Sequence, residues 1–215
     1  MSRVYDCGTA EEREVGLEEA AAAIRSGELV VLPTDTVYGV GADAFLPSAV
    51  EALLAAKGRD RSMPVPVLVA SPSMLTAVVD QMPEQAVALS EKFWPGALTL
   101  VMRHTAHLAW DLGDSKGTVA VRMPANTLAQ DLISRTGPLA VSSANRSGHE
   151  AATTMMDARL QLGASVSVYL DDGPSGGSVA STIIDVTGER PRLLRAGALD
   201  LAALREVVAD LEGES

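Results

Sequence analysis

The sequence predicts an α/β domain built on an open, mixed sheet. Short apolar runs rich in Val, Ile and Leu alternate with amphipathic stretches through most of the 215 residues, the order expected of a sheet flanked by helices. Hydrophobic residues make up 47% of the chain, enough for one large core without disulfides or a structural metal. Neither a repeat nor a low-complexity linker interrupts it, so one domain over 1–215 is expected, with its core at about 15–200.

Positions 9–26 read as a helix. Thr9 can cap it, glutamates fill its first turns, Ile24 and the alanines form its apolar face, and Gly27 ends it. Leu29-Val30-Val31-Leu32 reads as a buried strand, stopped by Pro33. Positions 48–56 form a short helix, with Lys57 in the last turn and Gly58 as the stop. Positions 65–69 are apolar but carry Pro66, which predicts an edge or irregular strand. A helix at 84–93 is broken by Pro95-Gly96 and followed by a strand at 97–102. Then come a strand at 118–123, a helix at 126–135 and a strand at 139–142. A helix at 157–162 precedes strands at 166–170, 182–186 and 192–194, and a helix at 199–211 closes the pattern. Gly173-Pro174-Ser175-Gly176-Gly177-Ser178 is a loop within the domain, since strand-like sequence resumes directly after it.

Lys and Arg number 17 against 28 Asp and Glu, a net charge of -11. That disfavours generic nucleic-acid binding, where phosphate contacts dominate affinity. The acids cluster near the two ends, around Glu11–Glu19 and Glu206–Glu214, and the cations of interest lie between them. The single cysteine, Cys7, cannot form an internal disulfide, and no CxxC or Cys/His cluster is present to hold zinc. No apolar stretch approaches the ~18 residues of a membrane span, and Met1-Ser2-Arg3-Val4-Tyr5-Asp6 lacks the apolar core of a signal peptide. A cytoplasmic location is expected.

Two motifs are set aside. Gly39-Val40-Gly41-Ala42-Asp43-Ala44 matches the loose dinucleotide fingerprint, but six residues separate Leu32 from Gly39 where a tight turn is required. Gly173-Pro174-Ser175-Gly176-Gly177 matches a nucleophile elbow, but His104, His107 and His149 all precede Ser175, the wrong order for that fold's triad. His104 and His107 read as surface residues. No P-loop pattern occurs.

Polar strand ends are more informative. Pro33-Thr34-Asp35-Thr36-Val37-Tyr38-Gly39 follows a buried strand, and Lys57, Arg59 and Arg61 follow one helix later. Ligands in α/β sheets bind at such edges. Val119-Ala120-Val121-Arg122-Met123 puts a charge into a central strand. It needs an Asp partner or a ligand carboxylate or phosphate, either of which suits its planar fork. Val141-Ser142-Ser143-Ala144-Asn145 ends a strand in hydroxyls and an amide; Ser181-Thr182 opens one, and Arg195 follows Leu193-Leu194. Four cations with small hydroxyl residues compose a polyphosphate site made without a P-loop.

The motifs Pro33 to Gly39, Ala56-Lys57-Gly58-Arg59, Trp94-Pro95-Gly96-Ala97-Leu98-Thr99, Val119 to Pro124, Ser143-Ala144-Asn145 with Ser147-Gly148, Ser181-Thr182 and Leu194-Arg195 recur in order in a known family. The chain resembles the YrdC-like family of threonylcarbamoyl-AMP synthases, in its short form without an extra C-terminal domain. The resemblance implies an open twisted sheet around a positively charged cavity. It implies a nucleotidyltransferase that joins L-threonine, bicarbonate or carbon dioxide and ATP and releases pyrophosphate, with Mg²⁺ held mainly by substrate. A separate transferase complex would use the product to modify tRNA, and no stable tRNA or membrane binding is implied. Carried over by motif, Thr34, Tyr38, Arg122, Val141 and Ser181 face threonine. Lys57, Arg59, Met63, Thr118, Ser143, Asn145, Ala151 and Arg195 face ATP, with Lys57 and Arg59 stabilising charge and no protein nucleophile. Met63, Leu68 and Ala180 stand where members often have Asn, His and Glu. The loop 173–178 could close over the site and exclude water, though the sequence does not fix whether it does. The other reading is a non-catalytic module that holds nucleotide or double-stranded RNA, against which the acidic exterior weighs.

Overall fold

A computed structural model describes residues 2–105 and 110–213. His107 and Glu214 lie outside the described residues. The elements, in chain order, are β1 (Arg3–Asp6), α1 (Ala10–Arg25), β2 (Val30–Leu32), β3 (Gly39–Asp43), α2 (Pro47–Lys57), β4 (Val67–Leu68), α3 (Pro72–Leu75) and α4 (Glu84–Phe93). They continue with β5 (Leu98–Arg103), β6 (Thr118–Arg122), α5 (Thr127–Thr136), β7 (Leu139–Ser143), α6 (Met155–Leu162), β8 (Val168–Asp171), β9 (Thr182–Asp185), β10 (Arg192–Arg195) and α7 (Leu201–Val207). All ten strands join one mixed sheet in the order β1-β8-β2-β3-β7-β4-β6-β5-β9-β10.

Local chemistry explains the helix limits. Thr9 Oγ1 accepts the backbone N–H of Glu12, and Asn126 Oδ1 accepts that of Ala129, as N-caps do. Pro47 starts α2, and Gly58, at φ 62°, ends it in the left-handed conformation that lets the chain turn toward Arg59.

Alternation along the strands sends side chains to two core layers. Val30 and Leu32 pack with Leu139, Val141, Val168 and Leu170 beneath α1 and α5. Leu29, Val31, Val40, Leu98, Leu100 and Val121 pack on the opposite face with α2, α4, α6 and α7. The apolar cluster on the α1/α5 face reaches Leu68 of β4 and takes nothing from β6, β5, β9 or β10. That half of the face is left for the site.

Two expectations are corrected, and a strand is added that the sequence reading did not assign. The segment with Pro66 is not an edge: β4 lies between β7 and β6, shortened to Val67–Leu68. The proline carbonyl still accepts the Val141 N–H at 2.9 Å, so the missing donor leaves the pairing on that side intact. Gly39–Asp43, where the dinucleotide match was set aside, forms an added strand, antiparallel to both β2 and β7. Its glycines serve packing, since a Cβ at Gly39 would sit 2.7 Å from Val141 Cγ1. The last helix stops at Val207 because the chain turns back, with Leu193 N–H donating to Glu212 O and Glu212 N–H to Pro191 O. The strand Arg3–Asp6, with its exposed residues, gave no apolar signal in the sequence.

Gly197 passes directly over the start of β9. A Cβ there would lie 2.3 Å from Thr182 N and 2.5 Å from Ala180 O, both rigid backbone atoms. Gly197→Ala is expected to destabilise the fold by ~1–3 kcal/mol or more, as overpacking does. A denaturant melt reads this directly, and an unchanged midpoint would contradict the close approach.

Candidate active site

Register builds the site. On the α1/α5 face, Leu68 of β4 pairs with Arg122 of β6, and Thr99 of β5 pairs with Ile183 of β9, which in turn faces Arg195 of β10. Leu100 opposite Val121 brings Thr99 and Arg122 to the same level. These side chains form a row across five strands and floor a cavity of ≈ 310 Å³. Thr34, Thr36, Lys57, Arg59, Ser143 and Asn145 close its other side.

Arg122 is buried. Its Nε donates to the Gly96 carbonyl at 2.9 Å and its Nη1 to Thr36 Oγ1 at 2.8 Å. Nη2 lies 2.7 Å from Asp35 Oδ1, an ion pair at an angle too poor for a hydrogen bond. Asp35 Oδ1 also accepts the Ala125 N–H at 2.9 Å. The Asp partner expected for a charge in a central strand is therefore Asp35. The arginine has its structural Asp partner, and it also faces the cavity. Burial pulls the guanidinium below its ordinary range, and the Asp35 charge opposes that shift.

Lys57 ends α2 with its ammonium buried against two carbonyls, those of Ser143 and of Asn145, the latter at 2.6 Å. Burial, and then the Arg59 charge, lower its pKa to about 8. Arg59 Nη1 donates to Ser142 Oγ at 3.3 Å. Arg195 donates from Nε and Nη2 to the Ser181 carbonyl at 3.0 and 2.7 Å, and from Nη2 to Ser181 Oγ at 3.1 Å. Burial pushes the Arg195 guanidinium down, followed by repulsion from Arg122 and Arg59. The cations are thus close enough to oppose one another. Among the described residues, no Asp or Glu side chain lines the cavity.

Buried polar atoms are normally paired, so unpaired ones mark missing partners. Three of the four buried polar atoms without a hydrogen bond among the described residues belong to cavity residues: Arg59 Nε, Asn145 Oδ1, and Arg122 Nη2, which has only its ion pair with Asp35. The arrangement can hold a compact, multiply charged anion beside a smaller carboxylate.

Most residues singled out in the sequence reach the wall: Thr34, Tyr38, Lys57, Arg59, Met63, Arg122, Val141, Ser143, Asn145, Ser181 and Arg195. Some are already engaged. Thr34 Oγ1 donates to Val37 O at 2.6 Å and so shapes its own loop. The Tyr38 hydroxyl donates to Gly173 O at 2.5 Å, and burial pushes its pKa up. Tyr38 contributes to the wall, but its hydroxyl is turned to a loop anchor. Asn145 donates from Nδ2 to the carbonyls of Arg146 and His149.

Two residues are not on the wall. Thr118 begins β6, at the end opposite Arg122, and its hydroxyl donates to Ser115 O at 2.7 Å. Ala151 also falls outside the lining. Arg61 pairs with Asp111 at the exposed surface, and partly buried His104 stands edge-on to Trp110, away from the cavity. Thr36, Thr99 and Ser142 line the wall without having been singled out. Their motifs were visible, but only strand register shows which face they take. The Gly-rich loop packs on the opening segment, where Cβ atoms at Gly176 and Gly177 would lie 3.1 Å from Asp35 O and 3.3 Å from Thr36 O.

The chain is similar to known proteins in sequence and in fold. The Sua5/YciO/YrdC family model, described as telomere recombination, matches residues 22–197. A provisionally named threonylcarbamoyl-AMP synthase of Mycobacterium leprae (strain TN) is 53% identical over 208 residues, 97% of this chain and 94% of that one. The threonylcarbamoyl-AMP synthase of Pyrococcus abyssi (strain GE5 / Orsay) is 38% identical over 193 residues, and the alignment covers 89% of this chain and 57% of that protein. A crystal structure of P. abyssi Sua5 complexed with L-threonine superposes with a TM-score of 0.93 at 34% identity, covering 98% of this chain and 63% of that one. The chain thus spans about three fifths of the length of these archaeal chains.

Proposed function

The chain belongs to the Sua5/YciO/YrdC family, and on that premise we propose that it is a threonylcarbamoyl-AMP synthase, joining L-threonine, bicarbonate or carbon dioxide and ATP with release of pyrophosphate. One observation carries the reading. Lys57, Arg59, Arg122 and Arg195 converge with neutral hydroxyls on a single cavity whose described lining has no carboxylate. A triphosphate beside an amino-acid carboxylate supplies the anions that such a set lacks.

In this reading Arg122 holds the threonine carboxylate by its fork, while Asp35 and Thr36 fix the guanidinium plane. The threonine amine adds carbon dioxide, losing a proton to water, and the resulting N-carboxylate attacks the α-phosphorus of ATP. The P–O bond to pyrophosphate breaks as the new one forms. Lys57, Arg59 and Arg195 offset charge on the triphosphate, so catalysis is by positioning and electrostatics, without a protein nucleophile. Since the described lining offers hydroxyls, an amide and cations only, Mg²⁺ would enter with ATP on phosphate oxygens and water. The loop at Gly173–Ser178, tethered through Tyr38, would shield carbamate and mixed anhydride from water. The product would pass to a separate transferase that modifies tRNA.

The test is pyrophosphate release from ATP, with threonine and bicarbonate omitted in turn. Release is expected only with both. Release that persists without threonine would overturn the reading.

No helix among the described residues is long and apolar enough to cross a membrane.

A further inference from the structure

Thr99 lies between Arg122 and Arg195 in the row of cavity-facing side chains, and it is 2% exposed. Its Oγ1 has one side-chain partner among the described residues, Ser181 Oγ at 2.7 Å. Ser181 Oγ also accepts an N–H from Arg195 Nη2 at 3.1 Å.

Counting hydrogens shows what this pair can do. The two hydroxyls carry two hydrogens, and one lies in the bond between them whichever oxygen donates. Arginine is a donor only and cannot take the second. That second hydrogen therefore has no acceptor among the described side chains, while both residues line the cavity. Ser181 is the more exposed of the two, at 6% against 2%. If Thr99 and Arg195 both donate to it, Ser181 Oγ has one tetrahedral direction left for its own hydrogen, on a residue that lines the cavity.

We propose that Thr99 is a positioning residue that acts through Ser181, aiming the serine hydroxyl at an acceptor oxygen of the bound amino acid. The inference rests on the proposed reaction for the identity of that ligand. Thr99 makes no ligand contact of its own in this arrangement. Its methyl is dispensable and its hydroxyl is not.

The test is calorimetric titration of the full chain with L-threonine, comparing Thr99→Val, Thr99→Ser, Ser181→Ala and the double variant Thr99→Val/Ser181→Ala. Thr99→Val is expected to bind threonine about 5- to 10-fold more weakly. Thr99→Ser should stay within about twofold of the unsubstituted protein, because it keeps the donor. The double variant should match Ser181→Ala within about twofold, since a residue acting only through Ser181 has nothing left to position. Thermal melts confirm that each variant is folded, and ATP titration of Thr99→Val is expected to change by less than about twofold, because Arg195 keeps its two bonds to the Ser181 carbonyl. Unchanged threonine binding by Thr99→Val would overturn the proposal. So would a Thr99→Ser loss equal to that of valine, or losses that multiply in the double variant. Failure of the unsubstituted protein to bind threonine would instead strike at the proposed reaction, and at this inference with it.

Discussion

Arg122→Ala is expected to weaken threonine binding by about 30- to 5,000-fold, the ~2–5 kcal/mol lost when one partner of a buried charge contact is removed. The residue sits where several demands meet. It closes the pair with Asp35, donates to Thr36 and to the Gly96 carbonyl, and lines the cavity. Removing it strips the carboxylate of its fork and leaves Asp35 with an uncompensated charge beneath the Gly-rich loop. Stability should therefore fall as well, by ~3–5 kcal/mol if the pair behaves as other buried ones do. Arg122→Lys separates the two effects. An ammonium restores charge opposite Asp35 but cannot reach Gly96, Thr36 and a ligand carboxylate with one planar fork. The lysine variant should melt closer to the unsubstituted protein and still bind threonine weakly. If threonine affinity survives in Arg122→Ala, the carboxylate assignment is wrong.

The second large effect concerns Lys57 and pH. Its folded-state pKa is lowered to about 8, below the ordinary lysine value of ~10.4. Below about pH 8 the ammonium is charged in both folded and unfolded chains, and the folded chain bears the cost of burying it. As pH rises from there toward the unfolded value, the unfolded chain holds more protons and stability increases, by about 3 kcal/mol at most. Nucleotide binding runs the opposite way. A triphosphate favours the charged ammonium, so ATP affinity should fall as pH rises through about 8. Lys57→Met should remove this pH step and weaken ATP binding at neutral pH. It should also leave the carbonyls of Ser143 and Asn145 without their donor, at ~1–3 kcal/mol each. Titrations with ATP across this range settle it. A flat profile in the unsubstituted protein, or the same slope in Lys57→Met, would exclude Lys57 as the titrating phosphate contact.

The order of elements was legible because each carries its own local signal. Thr9 and Asn126 cap the helices they precede, Gly58 stops α2, and apolar runs mark β2, β5 and β6. Where local signals were weak or contradicted by neighbours, the reading slipped. Pro66 argued for an edge, yet β4 is central because it needs only two paired residues and still offers a proline carbonyl to Val141. The strand at Gly39–Asp43 was not assigned, because glycine in sequence does not say whether it gives torsional freedom or room. Here it gives room, against Val141 and Leu32.

By itself, the sequence determined that polar and cationic residues gather at strand and helix ends, and which family's motifs they form. Both facts depend on residue types at short spacings. The tertiary structure alone decided that Thr99 joins the wall while Thr118 and Ala151 leave it, that Asp35 is the partner of Arg122, and that the Tyr38 hydroxyl bonds the Gly173 carbonyl. Those outcomes follow from strand register and from pairs of atoms more than 80 residues apart in the chain. A one-residue slip in register would send each strand's side chains to the other face, so nothing short of the assembled sheet fixes which of them meet.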